Sequence, residues 1–305
     1  MRVPVEGLVQ VAGNAVLDVL VRSATSRAPA ADVWSDNVQI VEKPVDAVIG
    51  GCGAATAYVL GGLGQQVALN ANVGQDAWGD MLRAWLQSVE VDVAGLKAAR
   101  TAVHVIALDA AGRRQSHYYR GEKVDWRASL ELRVPQVFFA AGYGSVESGD
   151  AVDLHAVFSN LRRRGALVVF DVSPWFAGRV DVGQMHALWR VVDCLIGTEE
   201  ELLAWQDADS VEDLAERVLD LGLERVVVKR GAEGAFFAAR DGEQGQIAVR
   251  CVPAGNSVGA GDCFNGRLLY GLCQGEVLGC AARAAAEFAT HVVERGRGAL
   301  GAFDT

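Results

Sequence analysis

The sequence lacks a run of about 18 apolar residues, the length a membrane-spanning helix requires, so no span is expected. It has no excess of basic residues. Its 28 Lys and Arg stand against 38 Asp and Glu, for a net charge of −10, which argues against nucleic acid or an anionic membrane as the main partner. Six cysteines (Cys52, Cys194, Cys251, Cys263, Cys273 and Cys280) include no C-x-x-C pair. Most have apolar neighbours, which points to free buried thiols in a reducing cytoplasm rather than disulfides or a zinc site. The 5 histidines are scattered without ligand spacing. The opening, Met1–Gly7, has neither the basic nor the apolar region of a secretory leader, so a cytoplasmic protein is expected. Internal repeats and low-complexity linkers are also missing. With 305 residues, 51% of them hydrophobic, the chain can bury the core of one large α/β domain or of two smaller ones.

The apolar pattern sets the order of elements. Leu8–Ala12 reads as a buried strand running into Gly13–Asp18, with Asp18 an acid just past the strand end, either a turn residue or a hydroxyl-binding carboxylate. Residues 23–37 are polar and read as a loop. Val38–Lys43 and Ala47–Ile49 read as strands. Gly50–Ala57 is rich in small residues and leads a helix to about Leu63. Thr56 stands where a dinucleotide-binding G-x-G-x-x-G would need its third glycine, and the stretch is far from the first strand, so that signal is weak. Val67–Val73 is a strand, and Asp76 is the expected N-cap of a helix over Asp80–Val89. Ala102–Leu108 and Gln115–Tyr119 flank the turn Asp109–Gly112 and predict a hairpin, which with Val38–Lys43 would make a small separate sheet.

From Val137 the rhythm becomes strand, helix, strand. Strands are predicted at Val137–Ala141, Ala166–Asp171, Cys194–Ile196, Arg225–Lys229 and Ala235–Ala239. Helices are predicted at Ala151–Arg164, Glu199–Gln206 and Val211–Leu221. Such alternation implies a mostly parallel sheet covered on both faces. The Ala-rich helix Val277–Val293 reads as packing.

The stretch Asn256–Gly266 (Asn-Ser-Val-Gly-Ala-Gly-Asp-Cys-Phe-Asn-Gly) is the richest in chemistry. It follows a predicted strand, Gln246–Val252, and opens a helix with Phe264, Leu268 and Leu272 four residues apart. Gly259, Ala260 and Gly261 let a ligand approach their N–H groups, the open donors of a helix start, where the dipole favours an anion. A carboxylate at that spot, Asp262, would repel a phosphate unless it takes a proton from a hydroxyl attacking that phosphate. A glycine-rich turn with an ordinary first-turn aspartate would explain the stretch without chemistry.

Taken together, the segments resemble the ribokinase-like (PfkB) family of carbohydrate and nucleoside kinases. Gly50-Gly51, Gly64 and Val73–Gly79 look like its first signature, and Val258–Asp262 with Phe264 and Gly266 like its second. Thr198–Leu202 resembles its Asn-x-x-Glu motif and Lys229–Gly234 its nucleotide-binding turn. The match runs in order along nearly the whole chain. It implies a three-layer α/β/α sandwich with a mostly parallel sheet, as a single domain over residues 1–305. It also implies a small β-sheet lid drawn from about residues 15–48 and 100–126. No Walker A pattern is present, which fits this family and excludes a P-loop kinase.

The resemblance further implies an ATP-dependent kinase acting on a hydroxymethyl group of a small sugar or sugar-like molecule. Asp262 would be the base. The amides of Gly259, Ala260 and Gly261 would stabilise the transferring phosphoryl. Glu201 would act on Mg²⁺ through water. Thr198, Lys229, Gly231 and Gly234 would face the nucleotide. Asp18, Asn14, Gly50 and Gly51 would hold the substrate. Lid closure would exclude water, and such lids pair into homodimers. Ala55 stands where the family has a sugar-binding Asn. Thr198 replaces an Asn, and Lys229 a Thr or Ser. Asn256-Ser257 replaces Asp-Thr near a monovalent-cation site, which weakens the case for activation by K⁺ and leaves the monovalent cation open. These departures keep a catalytically weak sugar or nucleotide sensor as an alternative. A nucleoside kinase is another, in which Trp34, Tyr118 and Tyr119 would stack on a base.

Overall fold

The structure, a computed structural model, describes residues 5–22, 41, 43–108, 114–144, 146–252 and 256–304. The chain opens with β1 (Val5–Ala12), β2 (Val16–Arg22), β3 (Asp46–Gly50), α1 (Cys52–Gly62), β4 (Gln65–Gly74) and α2 (Ala77–Ser88). Next come β5 (Leu96–Ala99), β6 (Ala102–Leu108), β7 (Arg114–Tyr119), β8 (Val137–Ala141), α3 (Asp150–Arg163), β9 (Leu167–Asp171), α4 (Val182–Trp189), β10 (Cys194–Thr198) and α5 (Glu199–Leu203). It closes with α6 (Val211–Asp220), β11 (Arg225–Lys229), β12 (Ala235–Ala239), β13 (Gln244–Ile247), α7 (Ala260–Cys273) and α8 (Leu278–Arg295).

Among the described residues the large sheet runs β13-β12-β11-β10-β9-β8-β1-β4-β5 and the small one β3-β2-β6-β7. From β5 to β11 the large sheet is parallel; β12 alone runs the other way, so its pairings with β11 and β13 are antiparallel. Helices cover both faces, and the strands show why they must. On β8, Val137, Phe139 and Ala141 join the core beneath α1, α2, α7 and α8, while Phe138 and Ala140 join the core beneath α3, α4 and α6. Successive side chains point to opposite faces, so strands apolar throughout demand cover on both. Helix α1 is apolar and small all round, and almost all of it is buried, as an interior helix should be. The expected α/β/α sandwich with its second small sheet is what the chain forms. No described helix is long and apolar enough to cross a membrane.

The small sheet corrects one reading. Asp18 does not lie in a turn; it sits within β2, between β3 and β6, paired with Val48 and His104. The Gly13-Asn14 break after β1 disguised a second strand that starts only three residues on. Most of Val38–Lys43, the turn at Asp109–Gly112 and Trp34 lie outside the described residues. The strand predicted to reach Val252 ends at Ile247, because Val249 and Val252 line a cavity instead of pairing. Helix α4 was not foreseen. Its capping box, in which Asp181 and Gln184 bond each other's backbone N–H, is the sequence signal that marks it.

Candidate active site

The candidate residues gather along one edge of the large sheet, where five neighbouring parallel strands end. Asn14 follows β1, Tyr143 follows β8, Asp171 ends β9, Thr198 ends β10 and Lys229 ends β11. Carboxyl ends of parallel strands are where an α/β sheet leaves a crevice for ligands. Two helix starts close over this edge, those of α1 and α7. They are tied by Thr56, whose hydroxyl donates to the Asp262 carbonyl at 3.3 Å. They approach closely because Gly266 leaves no Cβ to strike Val59.

Asp262 stands in the first turn of α7, half-buried, with a charged neighbourhood from four other elements. Burial lifts its carboxyl the most, Lys229 opposes, and the charges of Asp171, Asp18 and Glu201 lift it further, to about 7. Lys229 donates to Asp171 Oδ1 at 3.0 Å and Oδ2 at 2.9 Å, and Asn265 Nδ2 donates to the same Oδ2 at 2.6 Å. Burial raises Asp171, with Lys229 opposing. For Lys229 burial acts downward, yet Asp171 and Glu201 leave it raised. Three donated bonds on the two oxygens of Asp171 favour its carboxylate form beside a protonated lysine. Asp171 and Asn265 were not singled out from sequence. A charged residue closing an otherwise apolar strand was the available signal.

Glu201 is 9% exposed and locked in a capping box. Its backbone N–H donates to Thr198 Oγ1 at 3.2 Å, and its Oε2 accepts the Thr198 N–H at 2.8 Å. The Tyr143 hydroxyl donates to its Oε1. Burial and the charges of Asp171, Glu201 and Asp262 hold Tyr143 far above the usual phenol range, which keeps its hydroxyl a donor to Glu201. Thr198 therefore has a structural reason independent of any ligand.

The helix start at Gly259 (φ 77°) is built as expected, with one correction. The Ala260 N–H is spent on the Ser257 carbonyl at 3.1 Å, whereas no acceptor for the Gly259 or Gly261 N–H is found among the described residues. A Cβ on Gly261 would meet only Lys229 Nζ, at 3.9 Å, so this backbone is open to a close ligand. Beside it lies a cavity of about 310 Å³ that Lys229, Gly231, Gly234, Ala260 and Gly261 share. Its far wall is apolar: Val249 and Val252, with Ala286, Ala289 and Val293 of α8. Helix α8, read from sequence as packing alone, thus also lines the cavity, its alanines leaving the space open.

The second half of the cleft belongs to β2, β3 and β7. Asp18 is 7% exposed, with Oδ1 3.6 Å from His104 Nδ1. Its carboxylate fits because Gly50 has no Cβ, which would lie 2.3 Å from Oδ2. A Cβ on Gly51 would lie 2.6 Å from the Asn14 carbonyl. Asn14 satisfies the start of α1, accepting from the Cys52 N–H at 3.0 Å through Oδ1 and from Gly53 and Ala54 through its carbonyl. Its Nδ2 donates to the Tyr118 hydroxyl at 3.1 Å. Tyr118, pushed up to about 12 chiefly by burial, packs on His104 and meets Trp175 edge-on. The Arg120 guanidinium lies over the Trp175 ring, 5.6 Å from its centre. His104, Trp175 and Arg120 were missed from sequence. Ala55 is fully buried within α1 and offers the cleft no polar group.

The site can therefore hold an anion at open amides beside a lysine, with a titratable carboxylate between that anion and a polar pocket. A model of the pfkB family of carbohydrate kinases matches residues 16–302. Fructokinase-1 of Oryza sativa subsp. japonica is 30% identical over 240 residues, 74% of this chain and 74% of that one. Ribokinase from Thermotoga maritima superimposes with a TM-score of 0.73 at 20% identity, covering 97% and 95% of the chains. Arabidopsis thaliana ribokinase complexed with ribose and ATP gives a TM-score of 0.74 at 18% identity, covering 99% and 96%.

Proposed function

We propose, from the premise that this chain belongs to the pfkB family of carbohydrate kinases, that it phosphorylates a hydroxymethyl group of a small sugar, with Asp262 as base. It is an ATP-dependent carbohydrate kinase; the acceptor and the residue roles are the proposal. The observation that carries it is Asp262 itself. A carboxyl group poised at about 7 stands within one helical turn of two open amides and across from Lys229. A base works best with its pKa near the working pH.

In this reading the nucleotide lies in the cavity, its base against Val249, Val252 and the alanines of α8, its phosphates toward Lys229 and Gly261. Asp18, Asn14 and the Gly50–Gly51 backbone hold the sugar. The sugar hydroxyl gives its proton to Asp262 as its oxygen bonds the γ-phosphorus. The bond from that phosphorus to the β–γ bridging oxygen breaks, and ADP leaves. Lys229 and the amides of Gly259 and Gly261 meet the negative charge on the transferring group. The Ala260 N–H, already bonded, takes no part.

The donor chemistry suits hydrated Mg²⁺. Asp171, Glu201 and Asp262 outnumber the one ammonium of Lys229, and no set of three or more His, Cys, Asp or Glu among the described residues is arranged to hold a bare ion. Mg²⁺ keeps much of its water, and Glu201 would reach it through water. The ion would supply further neutralisation of the phosphates.

The sugar reading is favoured over the nucleoside one because Tyr118 is already committed. Its hydroxyl is bonded to Asn14 and its ring packs on His104 and Trp175, leaving little free face for a base. The sensor reading conflicts with the intact grouping of Asp262, Lys229 and open amides. We extend the proposal to a homodimer through the small sheet, where Val45, next to edge strand β3, and Tyr119, on edge strand β7, are 53% and 54% exposed. The test is ATP turnover over a panel of sugars and nucleosides. Turnover with sugars alone supports the reading, turnover with nucleosides alone replaces it, and binding without turnover restores the sensor.

A further inference from the structure

Arg22, at the end of β2, ties the small sheet to the loop that carries the open amides. Its Nη1 donates to Asp46 Oδ2 on neighbouring β3 at 2.7 Å, and its Nη2 donates to the Gly296 carbonyl at 2.6 Å, 274 residues away. Gly296 ends α8 in the left-handed conformation (φ 69°), which turns the chain back toward the small sheet. Its carbonyl has a second donor, Asn256 Nδ2, at 3.1 Å. Asn256 opens the loop leading to α7, and its Oδ1 accepts the Val258 N–H at 3.1 Å. The Asn256 N–H in turn donates to the Val293 carbonyl at 3.2 Å. Beneath these polar links, Leu20, Val48 and Ile106 of the small sheet pack against Val258 and Leu300. A continuous path therefore runs from β2 through Arg22, Gly296, Asn256 and Val258 to the amides beside Asp262.

We propose that Arg22 is a positioning residue, which holds the loop of Gly259 and Gly261 in its working shape by seating the small sheet against it. The inference rests on the kinase reading above, in which those amides meet the transferring phosphoryl. An exposed Arg–Asp pair contributes little by itself, and this one is partly exposed, at 27% and 34%. A guanidinium bonded to a carbonyl shared with the catalytic loop is a different matter. It fixes where that loop begins, at Asn256, and phosphoryl transfer depends on placement within a fraction of an ångström. Arg22 touches neither substrate in this reading, so its loss lowers the rate and leaves the affinity for ATP unchanged.

The test compares wild type with Arg22→Ala and Arg22→Lys, using whichever sugar the panel selects. Arg22→Ala is expected to lower kcat about tenfold, the scale of a small misplacement, with KM for ATP unchanged. Added guanidinium ion at low, non-denaturing concentration restores part of that loss, and sodium chloride at equal ionic strength does not. Arg22→Lys falls between the two. Hydrogen exchange at residues 256–262 is expected to quicken in Arg22→Ala, a readout independent of turnover. Unchanged kcat in Arg22→Ala overturns the proposal. So does a loss that neither lysine nor guanidinium repairs and that follows a fall in Tm, since that marks a purely structural role. If Arg22→Ala does not fold, Arg22→Lys decides: lowered kcat at constant KM supports the inference and wild-type kcat overturns it. A wild type that phosphorylates no sugar defeats the kinase reading instead, and exchange at residues 256–262 then decides whether Arg22 holds the loop.

Discussion

Lys229 grips both carboxylate oxygens of Asp171, at 3.0 and 2.9 Å, across the ends of β11 and β9. The two side chains are 11% and 1% exposed, so removing the lysine leaves Asp171 buried with no cation bonded to it. Lys229→Met is expected to destabilise the fold by about 3 kcal/mol or more, the scale for breaking a buried pair. Adding Asp171→Asn to that variant should recover part of the loss. Urea unfolding of both singles and the double gives the coupling energy. Additive effects would mean the two side chains do not pair in solution.

Asp262→Asn keeps size and hydrogen bonding while removing the basic oxygen. Turnover is expected to fall by about 10² or more, with ATP binding by calorimetry nearly intact. A loss of only a few-fold would take Asp262 out of the role of base.

The same residue sets two pH dependences of different kind. As a base it must be ionised, so kcat/KM should rise as pH increases through about 7 and level off above. For stability the direction reverses. Its folded pKa, about 7, exceeds the ordinary 3.8, so between those values the folded chain retains a proton the unfolded chain has lost. Stability therefore falls as pH rises through that window. Asp262→Asn should raise Tm relative to wild type at pH 8 and change it little at pH 4. An equal shift at both would show that the carboxylate carries no such strain.

Gly50→Ala tests the pocket from the opposite side. The new Cβ would fall 2.3 Å from Asp18 Oδ2, and the carboxylate must swing away. KM for the sugar is expected to rise about tenfold, the worth of one hydrogen bond to a charged group, with KM for ATP unchanged. Asp18→Ala should behave alike. If Gly50→Ala acts only on stability, Asp18 has no part in binding.

The chain's own pattern was enough to establish the layered architecture. Strands such as Val137–Ala141 and Ala235–Ala239 are apolar at every position, and no arrangement but a sheet covered on both faces hides them. The turn at Gly259 and the acid three residues on were legible for a similar reason, since backbone conformation and helix-end chemistry are local. The hairpin of β6 and β7 was legible through the turn residues between its two strands. What could not be read locally was anything made by convergence. Asp171, Asn265 and Lys229 lie on three elements far apart in sequence, and only the parallel pairing of β9 and β11 with β10 between them, and the packing of α7 over their ends, bring them together. Arg22 meets Gly296 because the small sheet folds back over the end of α8. Even the charge state of Asp262 is a tertiary fact. Burial and carboxylates from β2, β9 and α5 raise it, and none of them is its neighbour along the chain.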